Sequence, residues 1–263
     1  MQEDEPMPML NRNGVELYYE VHGEGTPILL SHGYSASSHM WAGQVAPFSK
    51  DYKLITWDMR GHGKTDYPED LSAYTEAETV ADMAAILDAV GAEKAIIGGL
   101  SLGGYMTLAF HLAHPERCLA LLILDTGPGY KKDEARAGWN ATSIRRAENF
   151  EKNGLPPAGA GGAETRAAPH RNAVGLAKAA RGMLTQHTPA VINSLPDVRV
   201  PALVVVGEND EPFLAASDYM AAKIPGAKKT VIERAGHASN IDQPDAFNAA
   251  VLGFLGDLHL ETA

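Results

Sequence analysis

Residues 95–115 constrain the fold more than any other stretch of the chain. An apolar run, Ala95–Ile97, leads into Gly99-Leu100-Ser101-Leu102-Gly103 and then into a helical pattern, Tyr105–Ala113, that Pro115 ends. A chain passing from strand to helix through so few residues must bend sharply, and glycines on either side of the serine permit the bend. Such a turn leaves the serine hydroxyl exposed at the C-terminal edge of a sheet.

Further apolar runs of strand length recur along the 263 residues: Pro27–Leu30, Leu54–Trp57, Leu119–Leu124, Ala202–Val206 and Thr230–Ile232, preceded by the alternating stretch Val15–Val21. Runs of this kind suit strands buried on both faces. Helical patterns separate them. The clearest, Glu76–Val90, puts Val80, Met83, Ala84, Leu87 and Val90 on one face, with Thr75 and Glu78 as a capping box and Gly91 where the helix stops. The alternation predicts an α/β fold: a mainly parallel sheet with helices on both faces.

The alternation lapses between Thr126 and Pro201, far beyond the usual connection of about 2–6 residues. Asp133–Lys152 is charged and helical in pattern. Gly154–Ala168 then holds nine Gly or Ala and two Pro in fifteen residues, and Arg171–Gln186 reads as helical again. This predicts a small helical lid with a flexible middle, dividing the chain into a core of residues 1–126 and 196–263 and an inserted lid of residues 127–195.

Composition narrows the partners. Lys+Arg 22 against Asp+Glu 33 gives a net charge of −11, which repels phosphate backbones and anionic lipid surfaces, so neither nucleic acid nor membrane is expected. The single cysteine, Cys118, cannot form an internal disulfide and reads as inert packing. Met1–Met9 is acidic and proline-bearing rather than basic and apolar, and no run of about 18 apolar residues offers a membrane span, so a cytoplasmic location is expected.

A serine hydroxyl needs a base, itself oriented by a carboxylate. His237, in Ala235-Gly236-His237 just beyond Thr230–Ile232, and Asp210, in Gly207-Glu208-Asn209-Asp210 just beyond Ala202–Val206, both follow strands at the edge where Ser101 lies. The chain order Ser101, Asp210, His237 suits a hydrolytic triad on an α/β scaffold. Asp125, ending Leu119–Leu124, is the rival acid. Two amides must cover a developing oxyanion, and Leu102 and Tyr34, in His32-Gly33-Tyr34 after Pro27–Leu30, are placed to supply them.

Taken in order, His32-Gly33-Tyr34 with Trp41 downstream, Asp58-Met59-Arg60-Gly61-His62-Gly63, Gly99–Gly104, Gly207–Asp210 and Gly236-His237 resemble the α/β-hydrolase superfamily over about residues 14–257. The resemblance implies an α/β-hydrolase fold with a small helical lid inserted after the sixth strand, and a lidded, cofactor-free serine hydrolase that binds no metal. Within the family the Gly-Leu-Ser-x-Gly-Gly elbow is most similar to small esterases and 3-oxoadipate enol-lactonases. Relatives that open epoxides or displace halide carry aspartate at the elbow, so Ser101 argues against both chemistries. The implied substrate is a small-molecule ester or lactone, with cleavage of a carbon–carbon bond by the same triad as an alternative. A hydrolase-fold ligand receptor with slow turnover is the reading from another class.

In this family the segment holding Asp58, Arg60 and His62 is a structural turn. His111 and His114 share a helix face and read as packing. Trp139 and Met183, in the lid, are candidates to line the acyl pocket, and Arg136, Arg145 and Arg171 are the arginines available to meet an anionic substrate.

Overall fold

A computed structural model describes residues 9–258. Eight strands form one sheet in the order β1-β2-β4-β3-β5-β6-β7-β8. They are β1 (Met9–Arg12), β2 (Val15–His22), β3 (Thr26–Ser31), β4 (Tyr52–Trp57), β5 (Ala95–Leu100), β6 (Cys118–Leu124), β7 (Ala202–Gly207) and β8 (Lys228–Ile232). β1 pairs antiparallel with β2, and β2 with β4; every other pairing is parallel. Around the sheet lie α1 (Ala42–Phe48), α2 (Glu76–Ala89), α3 (Leu102–Ala113), α7 (Glu211–Lys223) and α9 (Pro244–Gly256). Between β6 and β7 come α4 (Asp133–Asn153), α5 (Ala173–Arg181) and α6 (Ala190–Ser194), and α8 (Ser239–Asp242) follows β8. Among the described residues no helix is long and apolar enough to cross a membrane.

Successive side chains of a strand point to opposite faces, and the sheet therefore carries two cores. Ile28, Leu30, Leu54, Ile96, Leu122 and Val205 pack beneath α1 and α9. Leu29, Ile55, Ile97, Leu121, Ile123 and Val204 pack beneath α2, α3 and α7, and this second core takes in Ala177 and Ala180 of α5 and Val191 of α6.

Ser101 is the single residue between β5 and α3, at φ +56° and ψ −114°. A non-glycine residue there costs about 1–3 kcal/mol, so the surroundings must enforce it. They do so by closeness: a Cβ on Gly103 would lie 2.1 Å from the Ser31 oxygen, and one on Gly99 would lie 2.4 Å from the Gly103 carbonyl carbon. The two glycines let strand and helix approach to backbone contact, which forces the intervening serine outward. Its own amide donates to the Leu124 carbonyl at 2.9 Å, fixing the turn to β6.

Two elements differ from the sequence reading. β1, not foreseen, is an edge strand of half-exposed and exposed residues, so it carries no apolar run. The helix expected over Arg171–Gln186 is confined to Ala173–Arg181. Gly182 ends it, pressed so closely on the Tyr74 backbone that a Cβ would lie 2.3 Å from the Tyr74 oxygen. The segment between Asn153 and Ala173 contains no helix or strand. Met1–Pro8, read as unlike a signal peptide, lie outside the described residues.

Candidate active site

The loops that follow β3, β5, β7 and β8 meet at a cavity of about 840 Å³ whose wall includes Tyr34, Ser101, Leu102, Asp210 and His237. Leu102 opens α3, so its amide has no carbonyl four residues back within the helix. Among the described residues neither that amide nor the amide of Tyr34 has a hydrogen-bond acceptor. Donors held unpaired beside a nucleophile are what a developing oxyanion requires.

Asp210 immediately precedes α7 and is 4% exposed. Its Oδ2 lies 2.9 Å from His237 Nδ1. The imidazole stacks on Phe213, with ring centroids 5.1 Å apart. Burial works against the imidazolium, but the hydrogen bond and charge of Asp210, aided by the charges of Asp125 and Glu164, outweigh it and raise His237 above its ordinary pKa. A histidine that donates from Nδ1 to a carboxylate keeps Nε2 as the accepting nitrogen, the tautomer a general base needs.

Asp125, the rival acid, does not contact His237. Its Oδ1 accepts the Gly207 amide at 2.7 Å and its Oδ2 accepts the Ser239 hydroxyl. Fully buried, it is pushed up to about 7, chiefly by desolvation and against those two donors. It braces the loops that carry Asp210 and His237 to one another.

Beside Tyr34 lie three packed imidazoles, His32 and His62 buried and His170 half-buried, each neutral and each joining two backbone groups. His32 donates from Nδ1 to the Gly33 carbonyl and accepts the Met59 amide; His62 donates to the Arg60 carbonyl and accepts the Ser35 amide. His170, from the segment between α4 and α5, donates from Nε2 to the Ser35 carbonyl at 2.8 Å and accepts the Gly63 amide at 3.2 Å. Burial depresses the pKa of all three, His32 to about 4. The unfolded chain therefore binds protons that the folded one refuses, so this contribution to stability is complete above the unfolded value of about 6.5 and is lost as pH falls towards the folded values. His170→Gln keeps a donor and an acceptor but cannot titrate. Its midpoint of thermal unfolding should depend less steeply on pH between about 7 and 5 than that of the unaltered protein; equal slopes would show that His170 is not held neutral.

Asp58 and Arg60 are likewise internally engaged. Asp58 accepts the Ser38 and Lys64 amides, and Arg60 forms a buried pair with Asp82 at 2.7 and 2.8 Å. His111 is buried, and His114 rests on Phe110 with centroids 5.2 Å apart.

Of the two residues expected at an acyl pocket, Trp139 does line the cavity, its Nε1 donating to the Leu184 carbonyl at 2.8 Å. Met183 does not. It is 1% exposed within the core under α2 and α3, where a flexible thioether fills space, and the next residue, Leu184, forms the wall instead. Arg145 lines the cavity, as does Arg146, which the sequence reading did not single out. Arg136 instead secures the start of α4 through the Tyr130 and Lys131 carbonyls, and Arg171 pairs with Asp66.

Sequence reasoning also missed Glu164 and Gln186, both on the wall. Glu164 is the sole acid in the Gly/Ala-rich segment, a local signal that could have been used. Gln186 has none. It is 8% exposed, and its Oε1 is buried without a hydrogen-bond partner among the described residues, a state that costs about 1–3 kcal/mol.

A family model described as alpha/beta hydrolase fold matches residues 26–154. 3-Oxoadipate enol-lactonase 1 of Acinetobacter baylyi is 30% identical, over 97% of this chain and 98% of its own length. Among solved structures, the enol-lactonase of Burkholderia xenovorans LB400 superposes with a TM-score of 0.78 at 26% identity, covering 95% of this chain and 100% of that one. A thermophilic esterase from Thermogutta terrifontis, solved with malate bound, superposes with a TM-score of 0.80 at 26% identity, covering 95% and 97%.

Proposed function

Because this chain belongs to the α/β-hydrolase family, we propose that it is a hydrolase of the esterase/lactonase type that cleaves a small carboxylic ester or lactone through an acyl-enzyme on Ser101. The observation that carries the reading is the buried Asp210 carboxylate 2.9 Å from His237 Nδ1, on the wall of the cavity that Ser101 also lines. His237 Nε2 takes the proton as Ser101 Oγ attacks the carbonyl carbon, and the amides of Tyr34 and Leu102 receive the negative oxygen. Asp210 stabilises the imidazolium without taking its proton. His237 then returns the proton to the departing oxygen, which leaves as an alcohol or, from a lactone, stays tethered as a hydroxyl. Water, deprotonated by the same imidazole, attacks the acyl-enzyme, and collapse of the second tetrahedral adduct frees the acid and Ser101.

Residues 127–195 serve in this reading as the lid over the site, with Trp139 as part of the acyl wall. The net charge of −11 and a single, buried cysteine support work in the cytoplasm on a small molecule rather than on nucleic acid or a membrane. Purified protein assayed with short acyl p-nitrophenyl esters, lactones and vinylogous diketone acids should turn over esters or lactones many times per chain. A folded protein inactive on the whole panel would sink the proposal, and one burst with retained product would make it a receptor.

A further inference from the structure

The Tyr34 amide belongs to a strained turn. The Ala36 amide donates to the Gly33 carbonyl at 3.1 Å, closing four residues with Tyr34 and Ser35 at the centre, and Ser35 adopts φ +56°. Serine is disfavoured in that left-handed region, so it persists there only where its neighbours hold it. Both backbone groups of Ser35 are held by imidazoles. Its N–H donates to His62 Nε2 at 3.1 Å, and its carbonyl accepts from His170 Nε2 at 2.8 Å. The two holders come from different parts of the chain. His62 lies between β4 and α2, whereas His170 belongs to residues 127–195, inserted between β6 and β7. His170 is itself anchored: its Nδ1 accepts the Gly63 amide at 3.2 Å, and its ring meets that of His62 edge-on with centroids 5.7 Å apart. The insertion reaches the turn a second time where the Tyr34 phenol donates to the Leu176 carbonyl of α5 at 2.8 Å. Tyr34 and Ser35 both line the cavity that Ser101 lines. An outlier placed there, and enforced from the insertion, points to a task for the residue that enforces it.

We propose that His170 is a positioning residue for the oxyanion: by holding the Ser35 carbonyl it fixes the turn that aims the Tyr34 amide, so a complete oxyanion hole depends on the insertion being seated. This rests on the hydrolase reading above. His62 fixes the N–H side of Ser35 from the core, and His170 alone among the described residues holds its carbonyl side. Without that bond Ser35 can relax out of the left-handed region, and the neighbouring Tyr34 N–H swings off the point where the tetrahedral oxygen forms. The oxyanion exists only once Ser101 attacks, so the loss falls on the transition state and not on substrate binding.

The test compares His170→Leu, which removes the bond, with His170→Gln, which keeps a donor and an acceptor, on a short p-nitrophenyl ester at pH 8, where the imidazole is neutral. His170→Leu should lower kcat about tenfold, less than outright loss of an oxyanion donor would. Acylation and deacylation both pass through the oxyanion and slow alike, so KM should stay within about twofold. His170→Gln should recover most of the rate, and His170→Ala serves if the leucine variant does not fold. A trifluoromethyl ketone, which forms a tetrahedral oxyanion on Ser101, should lose affinity in His170→Leu in step with kcat. The corresponding secondary alcohol, which cannot be attacked, should bind as before. An unchanged kcat, a raised KM at constant kcat, a glutamine variant as slow as the leucine one, or ketone and alcohol weakened alike would each overturn the proposal. If the unaltered protein turns over no ester, the hydrolase reading fails and takes the oxyanion role with it, while the hold on the turn is still read by hydrogen exchange. Exchange of the Ser35 and Ala36 amides should then be about tenfold faster in His170→Leu and not in His170→Gln; unchanged exchange would overturn the hold as well.

Discussion

Ser101→Ala is expected to lower kcat on a p-nitrophenyl ester by about 10⁶-fold, while the fold persists. On the proposed mechanism the substitution removes the atom that forms the acyl-enzyme and leaves the amides of Tyr34 and Leu102 in place, so a residue of catalysis over water remains. Alanine meets the same backbone strain as serine at φ +56°, and the unfolding midpoint should be nearly unchanged. A serine-directed phosphonate or sulfonyl fluoride should add once to the unaltered protein, at Ser101, and not to the variant. Retained turnover in well-folded Ser101→Ala, or labelling at another residue, would remove Ser101 from the mechanism.

Asp210→Asn should cost about 10⁴-fold in kcat with little change in KM. An amide of the same shape no longer holds the Nδ1–H tautomer or stabilises the imidazolium. Asp125→Asn should cost about tenfold or less. The amide still offers one oxygen to the Gly207 amide or the Ser239 hydroxyl, and His237 keeps its contact with Asp210. The two variants differ in kind as well as size. The first changes the chemical step and the second the bracing of loops, so the second should lower the unfolding midpoint along with the rate. Comparable losses of kcat in both would mean that the imidazole is oriented by the pair rather than by Asp210.

The strands of the sheet interior were legible because both their faces are buried, so Leu119–Leu124 and Ala202–Val206 read as unbroken apolar runs. Met9–Arg12 was not, since an edge strand earns its place by backbone pairing to Val15–Tyr18, which leaves no mark on side-chain hydropathy. The end of α5 was misplaced because Gly182 is shaped by Tyr74, over a hundred residues earlier. Ser101, Asp210 and His237 could be picked out because each follows a strand at one sheet edge, a relation that chain order preserves. Met183 and Leu184 are neighbours in sequence and part company only once the chain turns after α5. Gln186 and the His170 bond to Ser35 are matters of pairing between distant segments, on which local pattern is silent.

The two cores have different owners. The one beneath α1 and α9 contains no residue from 127–195, and the one beneath α2 and α3 draws on α5 and α6 but on none of residues 154–168. Yet Glu164 and Thr165 from that stretch face the cavity. On the function proposed above, substrate choice and fold stability are therefore written, at this wall, in separate residues. On that reading residues 154–168 should accept substitutions, insertions or deletions that reshape what the enzyme admits while both cores stay intact, so a lineage or a mutant library should sample new substrates there without first acquiring compensating mutations elsewhere.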